Sequence, residues 1–421
     1  MYRIERGRTP NGVRVVTVET PHLHTAMLNL SVAVGSRDET PECSGVSHFL
    51  EHILFRGCED HPTSLELNSA LDRWGGALNG ATGQELTTFE TAIAPEGIER
   101  AIGVAARMLV RPLFRDVELE REVILEEIRE EVDEHERPID ADLHARRLVF
   151  GAHPLALPLA GSLESVAQID EAMLRQWHAE RYRADAMLLC VAGPVEHERV
   201  LAACARAFEG LPAGRPPDPL PAPPFPPGPR LRLVPHGESQ SDLRLLFPAV
   251  PEHHADHPVF VVLRRLLDDG LACRLQQEIV EARGLAYSVS AGIDALREAA
   301  LFEIEAATAH EKAPRLLAAL LDVLSGLHRT PPSAEELDRV KARARFAGQA
   351  LADSVSQLAA YFGEGALLGI EQTPAERVAA IEAVTCDDVV RVASEVFCRE
   401  HLAAAVVGQP PPAELRQTLG L

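Results

Sequence analysis

The sequence predicts an α+β fold made of two homologous α/β-sandwich domains, each a mixed or antiparallel sheet with helices packed on it. Three observations carry this expectation. A proline-rich stretch, "LPAGRPPDPLPAPPFPPGPR" from Leu211 to Arg230, divides the chain near its middle. Landmarks on the two sides of it recur at nearly the same offset. Each side also mixes short alternating strands with long helical stretches, rather than alternating strand and helix as a doubly wound parallel sheet does.

The elements follow in chain order. "GVRVVTVE" and "LNLSVAV" alternate as strands of a sheet with one face covered. "VSHFLEHILF" reads as a helix, because Val46, Phe49, Leu50, Ile53 and Leu54 fall at i, i+3, i+4, i+7 and i+8, the stripe that a core buries. "DVELEREVILEEIREEVDEHE" reads as a strongly acidic helix, and "RYRADAMLLCVAG" as the end of a helix leading into an apolar strand that closes at Gly193. The prolines that follow exclude helix and sheet interior and leave a stiff, extended tether. Beyond it, "DLRLLFPAV" and "FVVLRRLLDDG" repeat the strand-then-helix order and end at Gly270, as the first half does at Gly57. Leu316–Leu327 and Ala334–Ala352 read as long helices, and "VFCREHLAAAVVG" closes at Gly408. The two pairs of landmarks are 213 and 215 residues apart, so they agree on one repeat. Domains are expected at 1–210 and 230–421, with a linker at 211–229.

Composition narrows the function. A chain of 421 residues suits two to four domains, and 46% hydrophobic with 25% charged residues excludes wholesale disorder. No apolar run approaches the ~18 residues that span a bilayer. The opening "MYRIERGRTPNGVRVVTVET" goes straight into strand-like alternation without an apolar leader, which suggests a cytoplasmic protein. A net charge of -22 argues against nucleic acid and against anionic membrane surfaces as partners. Seven cysteines are scattered without a CxxC pair, which fits free thiols in a reducing compartment and offers no cysteine metal cage.

One helix carries chemistry. With its apolar stripe in the core, "VSHFLEHILF" turns His48, Glu51 and His52 to the opposite face. Histidines four apart project side by side and reach one cation, and Glu51 lies close enough to act on a water held there. Zinc asks for a third protein ligand and an open position. The acidic helix downstream offers several glutamates, among which helix spacing alone does not choose.

These residues resemble those of a known family. HxxEH is the inverted zinc motif of the inverzincins, and the chain is similar to the pitrilysin family of metallopeptidases over nearly its whole length. "SGVSHFLEHILFRG" resembles the family's metal helix, "GGALNGATGQELTTF" its glycine–asparagine strand segment, and "LEREVILEEIREEVDE" the helix with the third ligand. "HPLALPLAGSLESV" resembles the loop after that helix, and "CRLQQEIVEARGLAYSVSAG" the paired motif of the second half. The resemblance implies a zinc endopeptidase with one zinc ion per chain. His48 and His52 would be ligands and Glu127 the third, with 74 residues between it and His52 and Glu126 as its alternative. Glu51 would be the general base and Glu120 the supporting acidic residue. The segment from Asn79 to Thr88 would include an edge strand near the metal, to which a peptide adds in extended form, with Asn79 and Ala81 in contact with it. Gly80 stands where the family usually has alanine, and an Asn-Gly turn is the structural alternative there.

The second half departs from the family pattern. Tyr287 of "GLAYSV" is present as a substrate-holding residue, but Val280 stands seven positions earlier, where active single-chain relatives carry arginine. Arg283 is a candidate substitute. No second HxxEH occurs. The resemblance therefore implies half of a clam shell that cleaves peptides or unfolded leader segments inside a chamber. Its partner would be a paralogous subunit supplying the missing arginine and tyrosine, with a homodimer as the alternative and a non-catalytic assembly subunit as a further one.

Overall fold

The computed structural model describes residues 2–370 and 372–421, which form two compact units. The first is built on six strands: β1 (Arg3–Arg8), β2 (Arg14–Glu19), β3 (Ala26–Val32), β4 (Asn79–Thr82), β5 (Thr87–Ile93) and β6 (Met187–Gly193). Their order is β1-β2-β6-β3-β5-β4, with β2 and β6 parallel and every other neighbouring pair antiparallel. Among the described residues, strand β4 pairs only with β5 and ends the sheet.

This sheet is covered on both faces, not on one. Every residue of β3 and of β6 is buried. The alternation in "LNLSVAV" comes from Asn29 and Ser31, which are buried as well: Asn29 Nδ2 donates to Glu364 Oε1 at 3.0 Å, and Ser31 Oγ donates to Asn29 Oδ1 at 2.8 Å. Glu364 belongs to helix Val355–Leu367, which lays Leu358, Ala359 and Phe362 against Val16, Val18, Met27, Leu188 and Cys190. A polar pair satisfied by a helix from far along the chain thus reads, in the sequence, as a solvated face.

The second unit repeats the plan without β1. Strands β7 (Arg230–Pro235), β8 (Ser241–Ala249), β9 (Val289–Ala295), β10 (Ala300–Thr308) and β11 (Ala403–Gly408) run in the order β7-β11-β8-β10-β9. Here β7 and β11 are parallel, and the other neighbouring pairs are antiparallel. The order β2-β6-β3-β5-β4 maps onto it strand for strand, which is the repeat expected from the offsets. One face packs on helices His257–Leu267, Ala313–Arg329 and Cys386–Val396. The other takes helix Ala141–Phe150, whose Ala145, Val149 and Phe150 join Leu246, Leu301, Ala403 and Ala405.

Each sheet is therefore closed by a helix from the other half of the chain. The first unit comprises Met1–Glu130, Leu157–Leu220 and Gln349–Glu371, and the second Glu131–Ala156, Pro221–Gly348 and Gln372–Leu421. These boundaries differ from a simple division at 210 and 230, because 131–156 and 349–371 are exchanged. Among the described residues, no helix is long and apolar enough to cross a membrane.

Candidate metal centre

Helix Val46–Leu54 presents the HxxEH residues. Val46, Phe49, Leu50, Ile53 and Leu54 are wholly buried, as its periodicity requires. The helix starts at Gly45, whose φ of +91° disfavours any side chain and whose Cβ position lies 2.5 Å from the Ala160 carbonyl oxygen. Its first amides are taken by Glu39: Gly45 N donates to Oε2 at 2.8 Å and Ser47 N to Oε1 at 2.9 Å. Burial pushes the Glu39 carboxyl up to about 8, against these two bonds.

The acidic helix runs Val117–Glu130 and buries Glu120, Arg121, Ile124, Leu125 and Ile128. Arg121 ties it down. Its Nη1 donates to the carbonyls of Val166 and Ile169, each at 2.7 Å, and its guanidinium carbon lies 5.7 Å from the centre of the Phe49 ring. Glu127 is thereby brought over the histidines, with Oε2 3.9 Å from His48 Nε2 and from His52 Nε2. Glu126 instead pairs with Arg129 on the exposed side.

The donor set fits zinc. His48 Nε2 and His52 Nε2 face each other at 3.2 Å, and one ligand atom from each of His48, His52 and Glu127 lies within 4.8 Å of the other two. Tetrahedral ligands ~2.0–2.1 Å from a zinc ion stand roughly 3.3 Å apart. Burial first, and the neighbouring His52 second, push His48 down to about 4, so it is a neutral imidazole at neutral pH, the form that ligates a cation. The other nitrogen of His52, Nδ1, lies 3.1 Å from Glu120 Oε2, and Glu120 Oε1 is held by Arg56 Nη1 at 3.0 Å.

Glu51 sits beside this set, buried. Burial raises its pKa above the ordinary carboxylate value; a hydrogen bond from Thr82 and the nearby His52 oppose that, and Glu127 adds to it. Thr82 Oγ1 donates to Glu51 Oε2 at 2.7 Å. Asn79, Gly80, Ala81 and Thr82 all lie in β4, paired with β5 from Asn79 opposite Glu90 to Thr82 opposite Thr87, so Asn-Gly forms no turn here. Their exposure alternates: Gly80 and Thr82 are half-buried, while Asn79 and Ala81 are exposed on the other face. Tyr287 lies in the second unit, 95% exposed. Neither Thr82, Gly80 nor Glu39 is singled out by sequence spacing, since each meets its partner through the sheet or through a cap.

Comparison with known proteins agrees with this geometry. Residues 14–162 match the family model described as insulinase, peptidase family M16, and residues 168–344 that of the peptidase M16 inactive domain. The chain is 32% identical over 429 residues to an uncharacterized zinc protease of Mycobacterium tuberculosis, covering 99% of this chain and 96% of that protein. Its fold is that of a protease from Helicobacter pylori, with a TM-score of 0.88 at 21% identity over 96% of this chain and 99% of that one. A peptidase M16 inactive domain structure from Pseudomonas fluorescens superposes with a TM-score of 0.87 at 20% identity, over 97% and 98%. With a zinc-type donor set in the first unit and, among the described residues, none in the second, the chain belongs to the pitrilysin-type zinc peptidases of family M16.

Proposed function

We propose that the chain is a zinc-dependent endopeptidase, with one zinc per chain, that cleaves peptides or unfolded leader segments. The observation that carries this is the meeting of His48, His52 and Glu127 beside a buried carboxylate, Glu51, with the free strand edge β4 packed against the same helix. Zinc, when bound, supplies a Lewis acid for a water molecule and for the scissile carbonyl. Glu51 takes a proton from the attacking water and delivers it to the leaving amine, a role that suits a buried carboxylate with a raised pKa. Glu120 holds His52 through Nδ1, so that Nε2 is turned inward. The outer edge of β4 offers backbone groups to an extended peptide of any sequence, with Asn79 and Ala81 flanking it.

The substrate-holding arginine is assigned to a second, similar chain, and the working enzyme to a heterodimer whose four homologous domains enclose a chamber. Supporting this, Val280 stands at the arginine position, and Arg283 Nη2 is held by Glu278 and Asp322, each at 3.3 Å. Self-sufficiency as a homodimer is the competing arrangement. A cytoplasmic location fits seven free cysteines.

The test is hydrolysis of a quenched, unstructured peptide library by the zinc-loaded chain, with Glu51→Gln as control. Cleavage that the control lacks supports the peptidase, and cleavage by this chain alone removes the need for a partner. Equal rates for chain and control overturn the assignment.

A further inference from the structure

Strand β4 holds one oxygen of the Glu51 carboxylate by a hydrogen bond and lies close beside the other. Thr82 Oγ1 donates to Oε2 at 2.7 Å. On the same face of the strand, two residues earlier, the Cβ position of Gly80 lies 2.5 Å from Oε1 and 2.7 Å from Phe55 Cε2, so only a residue without a side chain leaves Glu51 where it is. Gly80 stands opposite Phe89 in β5, whose ring centre is 6.1 Å from that of Phe55, so the space beneath the strand is filled. Glu51 has three rotatable bonds that set its carboxylate, and the orientation of a buried carboxylate follows its hydrogen bond and the walls around it. Here the bond is Thr82 and one wall is the backbone at Gly80.

We propose that Thr82 is a positioning residue for Glu51, with Gly80 leaving the room that this position needs. The proposal rests on the peptidase reading above. It has a consequence for substrate use. Strand β4 is the last strand of the sheet, and its outer edge is the one that would take an extended peptide. The element that receives the substrate backbone is thus the element that orients the base. Docking along β4 holds the strand, and through Thr82 it holds the carboxylate while the proton moves.

Three variants test this. Thr82→Val keeps the shape of the side chain and removes the donor; Thr82→Ser keeps the donor. Thr82→Val is expected to lower kcat roughly tenfold to a hundredfold, the scale of a misplaced reacting group. KM and zinc content should stay within about twofold of the starting protein, since the hydroxyl reaches neither the peptide edge nor the ligands. Thr82→Ser should recover most of the loss. In a Glu51→Gln background, Thr82→Val should add nothing. As a readout apart from activity, crystal structures should show the Glu51 side chain in a different rotamer in Thr82→Val and unmoved in Thr82→Ser. An unmoved carboxylate in Thr82→Val, or a normal kcat for it beside an inactive Glu51→Gln, overturns the role of Thr82 alone. Glu51→Gln at the full rate overturns the peptidase reading and this role with it.

Discussion

Glu120 Oε2 lies 3.1 Å from His52 Nδ1, on the ring nitrogen other than the one that faces His48 at 3.2 Å. The carboxylate is therefore not a fourth ligand of the site. It fixes which way the imidazole ring points and which nitrogen carries the proton, and Arg56 at 3.0 Å fixes the carboxylate in turn.

From this, Glu120→Ala should weaken zinc binding by roughly tenfold to a hundredfold, the usual effect of removing the partner of a metal-bound histidine. Glu120→Gln keeps an acceptor for the Nδ1 proton and should lose less. Competition against a chromophoric chelator measures both. Unchanged zinc affinity in Glu120→Ala would mean that His52 is oriented by packing alone.

The exchange of helices makes a second prediction. Residues 1–220 contain His48, His52 and Glu127, the proposed metal donors, but lack helix Val355–Leu367, so the face of the first sheet that bears Val16, Met27, Leu188 and Cys190 would be open to water. Removing one side chain the size of Phe362 or Leu358 from such a face costs about 3 kcal/mol, and here a whole helix is missing. Expressed alone, 1–220 should be aggregated or molten, with ANS binding and weak near-ultraviolet dichroism. The same fragment, with 131–156 replaced by a short polar linker and joined to 349–371 by a flexible one, should be monomeric and bind zinc. A folded, zinc-binding 1–220 would show that the helix is dispensable.

Much of the site is legible in the sequence, and the reasons are local. His48, Glu51 and His52 share a face because one helix period puts them there, and the same period buries Phe49 and Ile53. Glu127 is different. Its helix also carries Glu118, Glu120, Glu122, Glu126 and Glu130, and what selects Glu127 is the roll of that helix, set by Arg121 and the buried Ile124 and Ile128. That roll is a tertiary fact, which periodicity does not encode and only the resemblance to a family supplies. Thr82 lies 31 residues from Glu51, and its face is decided by pairing with β5. The exchanged helices are illegible for a like reason: an apolar stripe says that a helix is buried, not against which sheet.

Arg121 supports a third prediction. Arg121 is 9% exposed, and its guanidinium donates to two buried carbonyls, Val166 and Ile169. Arg121→Met keeps the packing against Phe49 but leaves the Ile169 carbonyl without a donor and the Val166 carbonyl with only the Ile169 amide, at 3.3 Å. At about 1–3 kcal/mol for one orphaned group, the cost should be roughly 1–3 kcal/mol. The acidic helix should also loosen, so zinc affinity falls although no ligand is altered. Urea unfolding and zinc titration report the two effects separately. A drop in stability with wild-type zinc affinity would show that helix position does not depend on this clamp.

Glu303 gives stability a pH dependence. It lies on β10 among Arg146, Arg244, Asp142 and Asp294. Burial raises its pKa to about 7; Arg146 and Arg244 oppose this, and Asp142 and Asp294 add to it. An acid whose folded value lies above its unfolded one binds a proton more tightly in the native state. Stability from this group is thus fully present below the ordinary carboxylate value near 4.5 and is lost as pH rises towards 7. At about 1.4 kcal/mol per pKa unit, the loss is at most roughly 3.5 kcal/mol, and less where the neighbours adjust. Glu303→Gln, neutral at every pH, should be less stable than the parent chain, or equal to it, at pH 5 and should gain on it by that amount at pH 8. Urea unfolding of both proteins at the two pH values measures the difference. If the gap between them does not change with pH, Glu303 is ionised throughout, and the arginines outweigh its burial.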